Sequence, residues 1–307
     1  MFFFFLTYKQ LIYTMKIGFI GTGRMGYPMA QNLLASGKEL SIYNRTPHKA
    51  EPLVSMGAKI FSCPREAAQN CDVVITMVAN DEALLEVTGG AEGLINGLKE
   101  GGIHLSMSTV SPRTIQVIQS LHASKNQIVV SAPVFGRPNA AAKKELWIVT
   151  AGPLEAVRRC HPIFQALGRG YSNLGEETIK ANIVKILGNF LIMSVVEALA
   201  ESFCVAQKAN ISAQDLLSAV NQALFRSPLY ENYGQLICNK SFSEPGFTLK
   251  LGFKDANLVR ELVESYLSPM PFLDIVYGRF LSALNHGKAE LDFAAISTEV
   301  FEEGGCT

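Results

Sequence analysis

The sequence predicts an α/β domain with a largely parallel sheet, then a long connecting helix, then an all-α domain. Between residue 16 and about residue 174, short runs rich in β-branched residues alternate with helical patterns, which is typical of βαβ units. After residue 175 the chain shows helical patterns without strand-like runs. The length of 307 residues, at roughly 150 residues per domain, also indicates about two domains.

Six apolar runs are predicted to be the strands of the first domain, residues 15–175. Their hydrophobicity is continuous rather than alternating, as expected for parallel strands that are buried on both faces. They are Ile17–Ile20, Leu40–Tyr43, Val73–Val78, Ile103–Met107, Ile128–Val130 and Leu146–Thr150.

The connecting helix is predicted within residues 176–208. Residues 186–196 carry no charge, which favours a helix that is buried on every side. Residues 209–307 then form the all-α domain, in which Pro and Gly separate the helices. The predicted breaks are Ser227-Pro228, Glu244-Pro245-Gly246, Ser268-Pro269 and His286-Gly287.

The first fourteen residues form a separate segment. Phe2–Leu6 is an apolar block, but it lacks the preceding charges and the cleavage site of a signal peptide. A membrane anchor is the alternative, and it is disfavoured because a span needs about 20 apolar residues. Met15 begins the first strand pattern, so residues 1–14 are interpreted as a non-native or disordered extension.

Composition excludes several classes of function. The 27 basic and 27 acidic residues cancel, so no electrostatic argument favours a nucleic acid or a membrane as partner. With 48% apolar and only 18% charged residues, much surface has to be hidden, for example between subunits. The 6 cysteines contain no C-x-x-C pair, which favours a reduced, cytoplasmic compartment. The 5 histidines show no metal-ligand spacing, and no metal is expected.

The first motif with chemical meaning is Gly21-Thr22-Gly23-Arg24-Met25-Gly26. It follows a predicted strand and opens a helical pattern, which is the context of a dinucleotide-binding Rossmann domain. Gly21 permits the tight turn, Gly23 lets a pyrophosphate approach, and Gly26 lets helix and strand pack closely. Free amides at the helix N-terminus accept the phosphate charge. The alternative is a purely structural glycine turn.

The end of the second strand indicates which cofactor is preferred. NAD-binding proteins usually place an acidic residue there, whereas this chain has Tyr43-Asn44-Arg45-Thr46. A guanidinium and a hydroxyl suit a 2′-phosphate, so NADP(H) is predicted over NAD(H). The alternative is that Arg45 is a solvated turn residue.

Three further segments, together with the glycine motif, resemble the β-hydroxyacid dehydrogenases, which include 3-hydroxyisobutyrate dehydrogenase and the glyoxylate/succinic semialdehyde reductases. They are Ser108-Thr109-Val110-Ser111-Pro112, Ala132-Pro133-Val134-Phe135-Gly136 and Lys185-Ile-Leu-Gly-Asn189. The resemblance spans about residues 15–300 and implies a dimer or tetramer built through the helical half. With it, the predicted cofactor-binding residues are Gly21, Thr22, Gly23, Arg24, Met25, Gly26, Asn44, Arg45, Thr46, Val78, Ala79, Thr109 and Lys254.

Lys185 and Asn189 are four residues apart, so they share one helix face. Reduction of a carbonyl builds negative charge on oxygen, and an ammonium group can stabilise that charge and donate the proton. From spacing alone, a snorkelling lysine at a helix end is the favoured interpretation of Lys185. The resemblance implies that Lys185 is catalytic and that Asn189 binds substrate.

The other predicted substrate-binding residues are Ser108, Thr109, Gly136, Arg137 and Lys254. Ser108 and Thr109 follow a strand, where open sheets bind ligands, although Ser108 alternatively satisfies amides of the next helix. The resemblance implies that Lys254 approaches cofactor and substrate, and a surface ion pair of Lys254 with its neighbour is the alternative.

One segment departs from the family pattern, which commonly reads Pro-Val-Ser-Gly-Gly. Here Phe135 removes a hydroxyl from the expected carboxylate site, while Arg137 adds a bidentate donor for an acid group. Arg137 alternatively faces solvent. The substrate is therefore expected to bind differently from 3-hydroxyisobutyrate.

These observations favour NADPH-dependent reduction of a short aldehyde or keto acid, of the glyoxylate or succinic semialdehyde type, with Lys185 as the proton donor. Oxidoreduction of 3-hydroxyisobutyrate or tartronate semialdehyde (2-hydroxy-3-oxopropionate), imine reduction and a non-catalytic NADP-binding scaffold are the alternatives. Lys185 argues for oxygen chemistry, since similar imine reductases usually lack it. The presence of Lys185 with Asn189 weighs against the scaffold.

Overall fold

The computed structural model describes residues 15–306, so the predicted extension over residues 1–14 lies outside the described part. Within it, a parallel sheet of six strands has the order β3-β2-β1-β4-β5-β6. Its strands are β1 (Lys16–Ile20), β2 (Glu39–Tyr43), β3 (Lys59–Ile60), β4 (Val73–Thr76), β5 (Ile103–Ser106) and β6 (Ile128–Ser131). The predicted α/β class with a parallel sheet is confirmed.

A second sheet in residues 15–306 contains β7 (Val134–Phe135), β8 (Leu146–Thr150) and β9 (Gly168–Asn173). The run Leu146–Thr150 is therefore a strand as predicted, but it pairs antiparallel with β7 and parallel with β9 rather than extending the large sheet. The sequence of β9, Gly-Arg-Gly-Tyr-Ser-Asn, has no β-branched residue. It becomes a strand because β8 offers a free edge, which overrides local propensity.

Helices cover both faces of the large sheet. They are α1 (Gly26–Ala35), α2 (Pro64–Ala68), α3 (Asp81–Thr88), α4 (Pro112–Ala123), α5 (Pro138–Ala142) and α6 (Leu154–Leu167). Residues of α1 and α6 share one apolar core with β1, β2, β4 and β5. Residues of α3 and α4 form another core with Val129 of β6. The sheet is thus buried between two helical layers, which explains its unbroken hydrophobic runs.

A chain of hydrogen bonds lies buried beneath the second of these layers. The Nε2 atom of His104 is 2.9 Å from the Thr76 hydroxyl, and its Nδ1 atom is 2.9 Å from Nε2 of His122. The Nδ1 atom of His122 is 2.7 Å from Oε1 of Gln127. Burial lowers the pKa of His104 well below its usual value, with a further contribution from His122, and burial also lowers the pKa of His122.

We expect the free energy of unfolding to fall as the pH drops below about 6.5, the ordinary pKa of histidine. The folded protein keeps His104 and His122 neutral, whereas the unfolded chain binds protons there, so acid favours unfolding. Each histidine contributes up to about 1.4 kcal/mol per pH unit. Urea unfolding of the wild type and of His122→Gln, at neutral and mildly acidic pH, measures this dependence.

The variant His48→Gln serves as the control, because His48 is exposed. It should keep the wild-type pH dependence, whereas His122→Gln should weaken it. An unchanged pH dependence in His122→Gln would remove the buried pair as its source.

The remainder of the described chain is helical. It contains α7 (Ile179–Lys208), α8 (Ala213–Val220), α9 (Pro228–Cys238), α10 (Leu249–Tyr266), α11 (Pro271–Asn285) and α12 (Ser297–Glu303), with a π-helical turn at Asn221–Phe225. The predicted breaks separate these helices, and Ser227 caps α9 with Pro228 in its first turn. The all-α class of this half and the long helix before it are confirmed, while the domain limits stay a prediction.

The helix α7 forms the centre of the helical half. Its residues Val196, Ala200 and Phe203 are buried in a core to which α9–α12 contribute. By length and apolarity alone, α7 is the one helix in residues 15–306 that is long enough to cross a membrane, with a mean hydropathy of 1.9 in its apolar window. Such a helix is equally typical of a protein core, and here α9–α12 cover one side of it, while Val184, Leu187 and Leu191 stay exposed on another.

Candidate active site

The glycine loop between β1 and α1 requires its glycines for two different reasons. Gly21 has φ +98°, which a residue with a side chain rarely adopts. A methyl group on Gly26 would overlap the carbonyl oxygen of Gly21, so the helix starts this close to the turn only without a side chain. At Gly23 no atom lies within 4 Å of the position where a methyl group would be. The backbone there is open to a ligand, as a dinucleotide-binding turn requires.

The end of β2 is tied to this loop. The Thr22 amide donates to Oδ1 of Asn44 at 2.9 Å, and the Asn44 side-chain amide donates to the carbonyl of Thr46 at 2.7 Å. The Thr22 hydroxyl is buried and has no hydrogen-bond partner among the described residues. Arg45 is exposed beside this group. A cluster of polar groups thus surrounds the loop at the carboxyl edge of the sheet, which fits a dinucleotide.

Ser108 joins the carboxyl ends of β4 and β5. Its buried hydroxyl accepts from the Val78 amide at 2.8 Å and donates to the carbonyl of Thr76 at 3.4 Å. The amides of the next helix are served by Ser111 instead, whose hydroxyl accepts from Thr114 at 3.1 Å. The Ser108 hydroxyl therefore has two partners within the protein. Ala79, which follows Val78, is exposed.

Four predicted site residues meet in one chain of polar contacts. Lys185 donates to Oδ1 of Asn189 at 2.7 Å, and Asn189 donates to Oδ2 of Asp255 at 2.6 Å. Lys254 forms an ion pair with Oδ1 of Asp255 at 2.6 Å. It also donates to the carbonyl of Thr109 at 2.7 Å. The chain thus runs from α7 through α10 to the loop after β5 and connects the two halves of the molecule.

The Lys185 ammonium is buried, with only 8% of the residue exposed. Its pKa is lowered to about 8, mainly by burial; the Asp255 carboxylate opposes this shift and the Lys254 ammonium adds to it. The Nζ atom lies 4.3 Å from the centroid of the Phe135 ring. An ammonium with a pKa this close to neutral pH can both give and take a proton, which is the property a general acid or base needs.

Arg137 binds within the protein. Its guanidinium forms an ion pair with Asp292, which is fully buried, and lies 5.4 Å from the centroid of the Tyr233 ring. Asp292 also accepts from the amide of Gly246 at 3.0 Å. These contacts give the predicted substrate-binding role of Arg137 no support, because its donors face a carboxylate of the helical half. Neighbouring Gly136 is exposed and has φ +138°.

The glycine loop contacts the same segment of the helical half. Arg24 donates to the carbonyl of Pro245, one residue before Gly246. Arg24 is exposed, and Met25 is half-buried against the core of the first domain. The segment around Pro245 is therefore held by arginines from both the predicted cofactor loop and the predicted substrate loop.

Two residues of these networks were missed from the sequence. The sequence predicts Asp255 only as an ion-pair partner of its neighbour Lys254, and in the structure it also holds Asn189. Asp292 carries no sequence signal, because its partner Arg137 is 155 residues away. Both are acidic residues that hold a predicted site residue in place, Asp255 holding Asn189 and Asp292 holding Arg137.

A group of possible metal ligands lies elsewhere, in the helical half. Ligand atoms of His286, Glu299 and Glu302 lie within 4.8 Å of one another. Lys288, however, donates to both carboxylates, at 2.7 and 2.9 Å. The ammonium balances their charge, so the group is accounted for as an ion-pair cluster.

Family models match both halves of the chain. The model for the NAD binding domain of 6-phosphogluconate dehydrogenase matches residues 16–185. The model for the NAD-binding region of NADP-dependent 3-hydroxyisobutyrate dehydrogenase matches residues 180–299. The two matches meet within α7, where Lys185 lies.

Individual relatives agree with these models. The chain is 43% identical to the uncharacterized oxidoreductase YfjR of Bacillus subtilis (strain 168), over 92% of this chain and 98% of that protein. It is 31% identical to the chloroplastic glyoxylate/succinic semialdehyde reductase 2 of Arabidopsis thaliana, over 92% of this chain and 78% of that protein. A solved 3-hydroxyisobutyrate dehydrogenase from Mycobacterium tuberculosis shares the fold, with a TM-score of 0.84 at 23% identity over 94% of this chain and 99% of that one. Matches of this extent, over two adjoining halves of one chain, show that the protein belongs to the β-hydroxyacid dehydrogenase family and is an NAD(P)-dependent oxidoreductase.

Proposed function

We propose that the protein uses NADPH to reduce a short aldehyde or keto acid, of the glyoxylate or succinic semialdehyde type, to its hydroxy acid. The observation that carries this proposal is the buried Lys185 ammonium, which is held by Asn189 and lies over the ring of Phe135. The activity for which the Arabidopsis relative is named supports the choice of substrate class.

The proposed cofactor site follows the carboxyl edge of the large sheet. The loop Gly21–Gly26 would hold the pyrophosphate, and Arg45 with Asn44 and Thr46 would hold the 2′-phosphate. Val78, Ala79, Thr109 and Lys254 would line the path towards the nicotinamide. When bound, NADPH supplies the hydride.

The chain's own residues supply the proton and the alignment. Lys185 donates a proton to the carbonyl oxygen of the substrate as negative charge develops there. Asn189 fixes the direction of the ammonium through the bond of 2.7 Å, and Asp255 in turn fixes Asn189. Lys254, with a donor beyond its contacts to Thr109 and Asp255, binds the acid group of the substrate.

A panel of carbonyl substrates tests this proposal. NADPH oxidation would be followed with glyoxylate, succinic semialdehyde, methylmalonate semialdehyde, tartronate semialdehyde and a cyclic imine. Turnover of either of the first two above the others supports the proposal. Preference for the imine favours imine reduction, and tight NADPH binding without any turnover favours a non-catalytic scaffold.

The preference for NADPH is expected to depend on Arg45. In Arg45→Ala the ratio of kcat/KM with NADPH to that with NADH should fall by about tenfold or more, the loss expected for a charge-assisted hydrogen bond. Steady-state kinetics with both cofactors measure the ratio. Lys49→Ala is a suitable control, since Lys49 is exposed nearby, and an unchanged ratio in Arg45→Ala would refute the role of Arg45.

The proposed partner, besides the small substrate, is a second copy of the chain. Val184, Leu187 and Leu191 lie along one face of α7 and are 39%, 38% and 60% exposed. Phe272 and Ile275 of α11 add further exposed apolar area. Burying such a face between subunits would remove it from water. Light scattering distinguishes the proposed dimer or tetramer from a monomer.

We also propose a cytoplasmic location. The 6 cysteines contain no C-x-x-C pair and show no disulfide framework in their spacing. Unpaired thiols of this kind are typical of large enzymes in a reducing compartment. Recovery of the protein in washed membranes would contradict this location.

A further inference from the structure

The ring of Phe135 occupies the space beside the Lys185 ammonium. The Lys185 Nζ atom lies 4.3 Å from the ring centroid. A methyl group on Gly188 would overlap Cζ of the ring, so α7 accommodates Phe135 only because residue 188 has no side chain. The ring is half-buried, and the rest of it packs on the apolar cluster that contains Val149. The protein thus has an aromatic wall at the group that donates the proton.

The polar side chains around this wall have partners within the protein. The Ser108 hydroxyl is bonded to the Val78 amide and the Thr76 carbonyl, and the Arg137 guanidinium is paired with Asp292. Among the described residues of the proposed site, spare donors therefore remain on the two ammonium groups, each of which has three N–H bonds. One side of the substrate can then contact an ammonium group, while the side towards Phe135 contacts the apolar ring.

We infer that Phe135 is a specificity-determining residue, whose ring limits the size of the substrate beside Lys185 and also positions the Lys185 ammonium on its face. This inference rests on the proposed function. We expect Phe135 to favour the smallest member of the proposed class, because the ring occupies space that an extended chain would need. The wild type is therefore expected to prefer glyoxylate, with two carbons, over succinic semialdehyde, with four.

The ring acts on the ammonium in two opposite ways. Its π face attracts a cation and so favours the protonated form. Its bulk keeps water away, and loss of hydration disfavours that form. The charged groups that act on Lys185 from other elements are Asp255 and Lys254, both on α10. Since neither is altered by substitution at Phe135, variants at that position separate the two effects.

Substrate preference is the first test. In Phe135→Ala, the ratio of kcat/KM for succinic semialdehyde to that for glyoxylate should rise at least about tenfold, since pocket space for even one methylene is worth that much. Tyr277→Leu is the control. It also removes a contact between an aromatic ring and a cation, the one with Arg260 at 4.4 Å, but this contact does not involve Lys185. The control should leave the ratio unchanged. A ratio that is also unchanged in Phe135→Ala would overturn the size limit.

The pH profile is the second test. Reduction needs a protonated Lys185, so kcat/KM should fall above a pH of about 8, its pKa. Phe135→Leu keeps the bulk but removes the π face, and should move this fall to lower pH by about half to one unit. Phe135→Ser also loses the π face, but it admits water and should move the fall to higher pH, because burial is the largest effect on this pKa. A merely structural role for Phe135 would not produce shifts of opposite sign.

The outcomes separate this inference from the proposed function. If the wild type oxidises NADPH with none of the carbonyl substrates, the proposed function fails. If the wild type is active and the Phe135 variants keep both its substrate ratio and its pH profile, only the present inference fails. Fluorescence titration with NADPH shows that each variant is folded, because the loop Gly21–Gly26 is unaltered in all of them.

Discussion

Replacement of Lys185 by alanine should lower kcat for carbonyl reduction by roughly 10²–10⁴-fold, the usual contribution of a positioned general acid. NADPH binding should remain, because the glycine loop lies on another element. The substitution leaves Asn189 and Asp255 in place, but it removes the ammonium group that they hold. Steady-state turnover and fluorescence titration with NADPH measure the two properties separately.

A second lysine on the same helix provides the control. Lys180 is exposed and pairs with Glu177 at 3.2 Å, so Lys180→Ala should retain wild-type turnover. Lys185→Met keeps the length of the side chain and tests whether charge, rather than packing, is responsible. Loss of a general acid should leave about a hundredth of wild-type kcat or less. If either Lys185 variant retained more than about a tenth, another group would have to donate the proton.

Replacement of Asp292 by alanine should lower the free energy of unfolding by about 3–5 kcal/mol, the usual effect of removing one partner of a buried ion pair. Asp292 is fully buried, and its loss leaves the largely buried Arg137 guanidinium without its carboxylate. The amide of Gly246 loses its acceptor as well. Urea unfolding measures the change.

A double-mutant cycle makes this test specific. Arg137→Ala combined with Asp292→Ala should be less destabilising than the sum of the two single changes, because the uncompensated charge is gone. Glu302→Ala is the control, since Glu302 is 58% exposed and pairs with Lys288 at the surface, where an ion pair contributes about 0–1 kcal/mol. If Asp292→Ala lowered the free energy of unfolding no more than this control does, the buried ion pair of Arg137 and Asp292 would not be a main source of stability.

Local patterns predicted the fold class and the parts of the site that lie close together in sequence. The glycine loop needs only a strand, a turn and a helix in succession, and the spacing of Lys185 and Asn189 places both on one helix face. Both features are present in the structure. Their functional roles stay predictions.

Contacts between distant segments could not be predicted in the same way. The sequence predicts that Arg137 binds the acid group of the substrate or faces solvent, and in the structure its guanidinium pairs with Asp292, 155 residues later. The strand β9 forms only because β8 offers its edge. In both examples, a partner supplied by the folded chain decides the outcome, and local sequence does not contain it.

The hydrogen bond from Lys254 to the carbonyl of Thr109 joins the two halves of the molecule at the proposed site. Thr109 belongs to the sheet-containing half, whereas Lys185, Asn189 and Asp255 belong to helices of the other. Neither half expressed alone would therefore contain all residues of the proposed site. A substitution that alters how the two halves dock would therefore change the geometry of the proposed site. Substitutions at this interface, even far from Lys185, are candidates for changing the reaction rate.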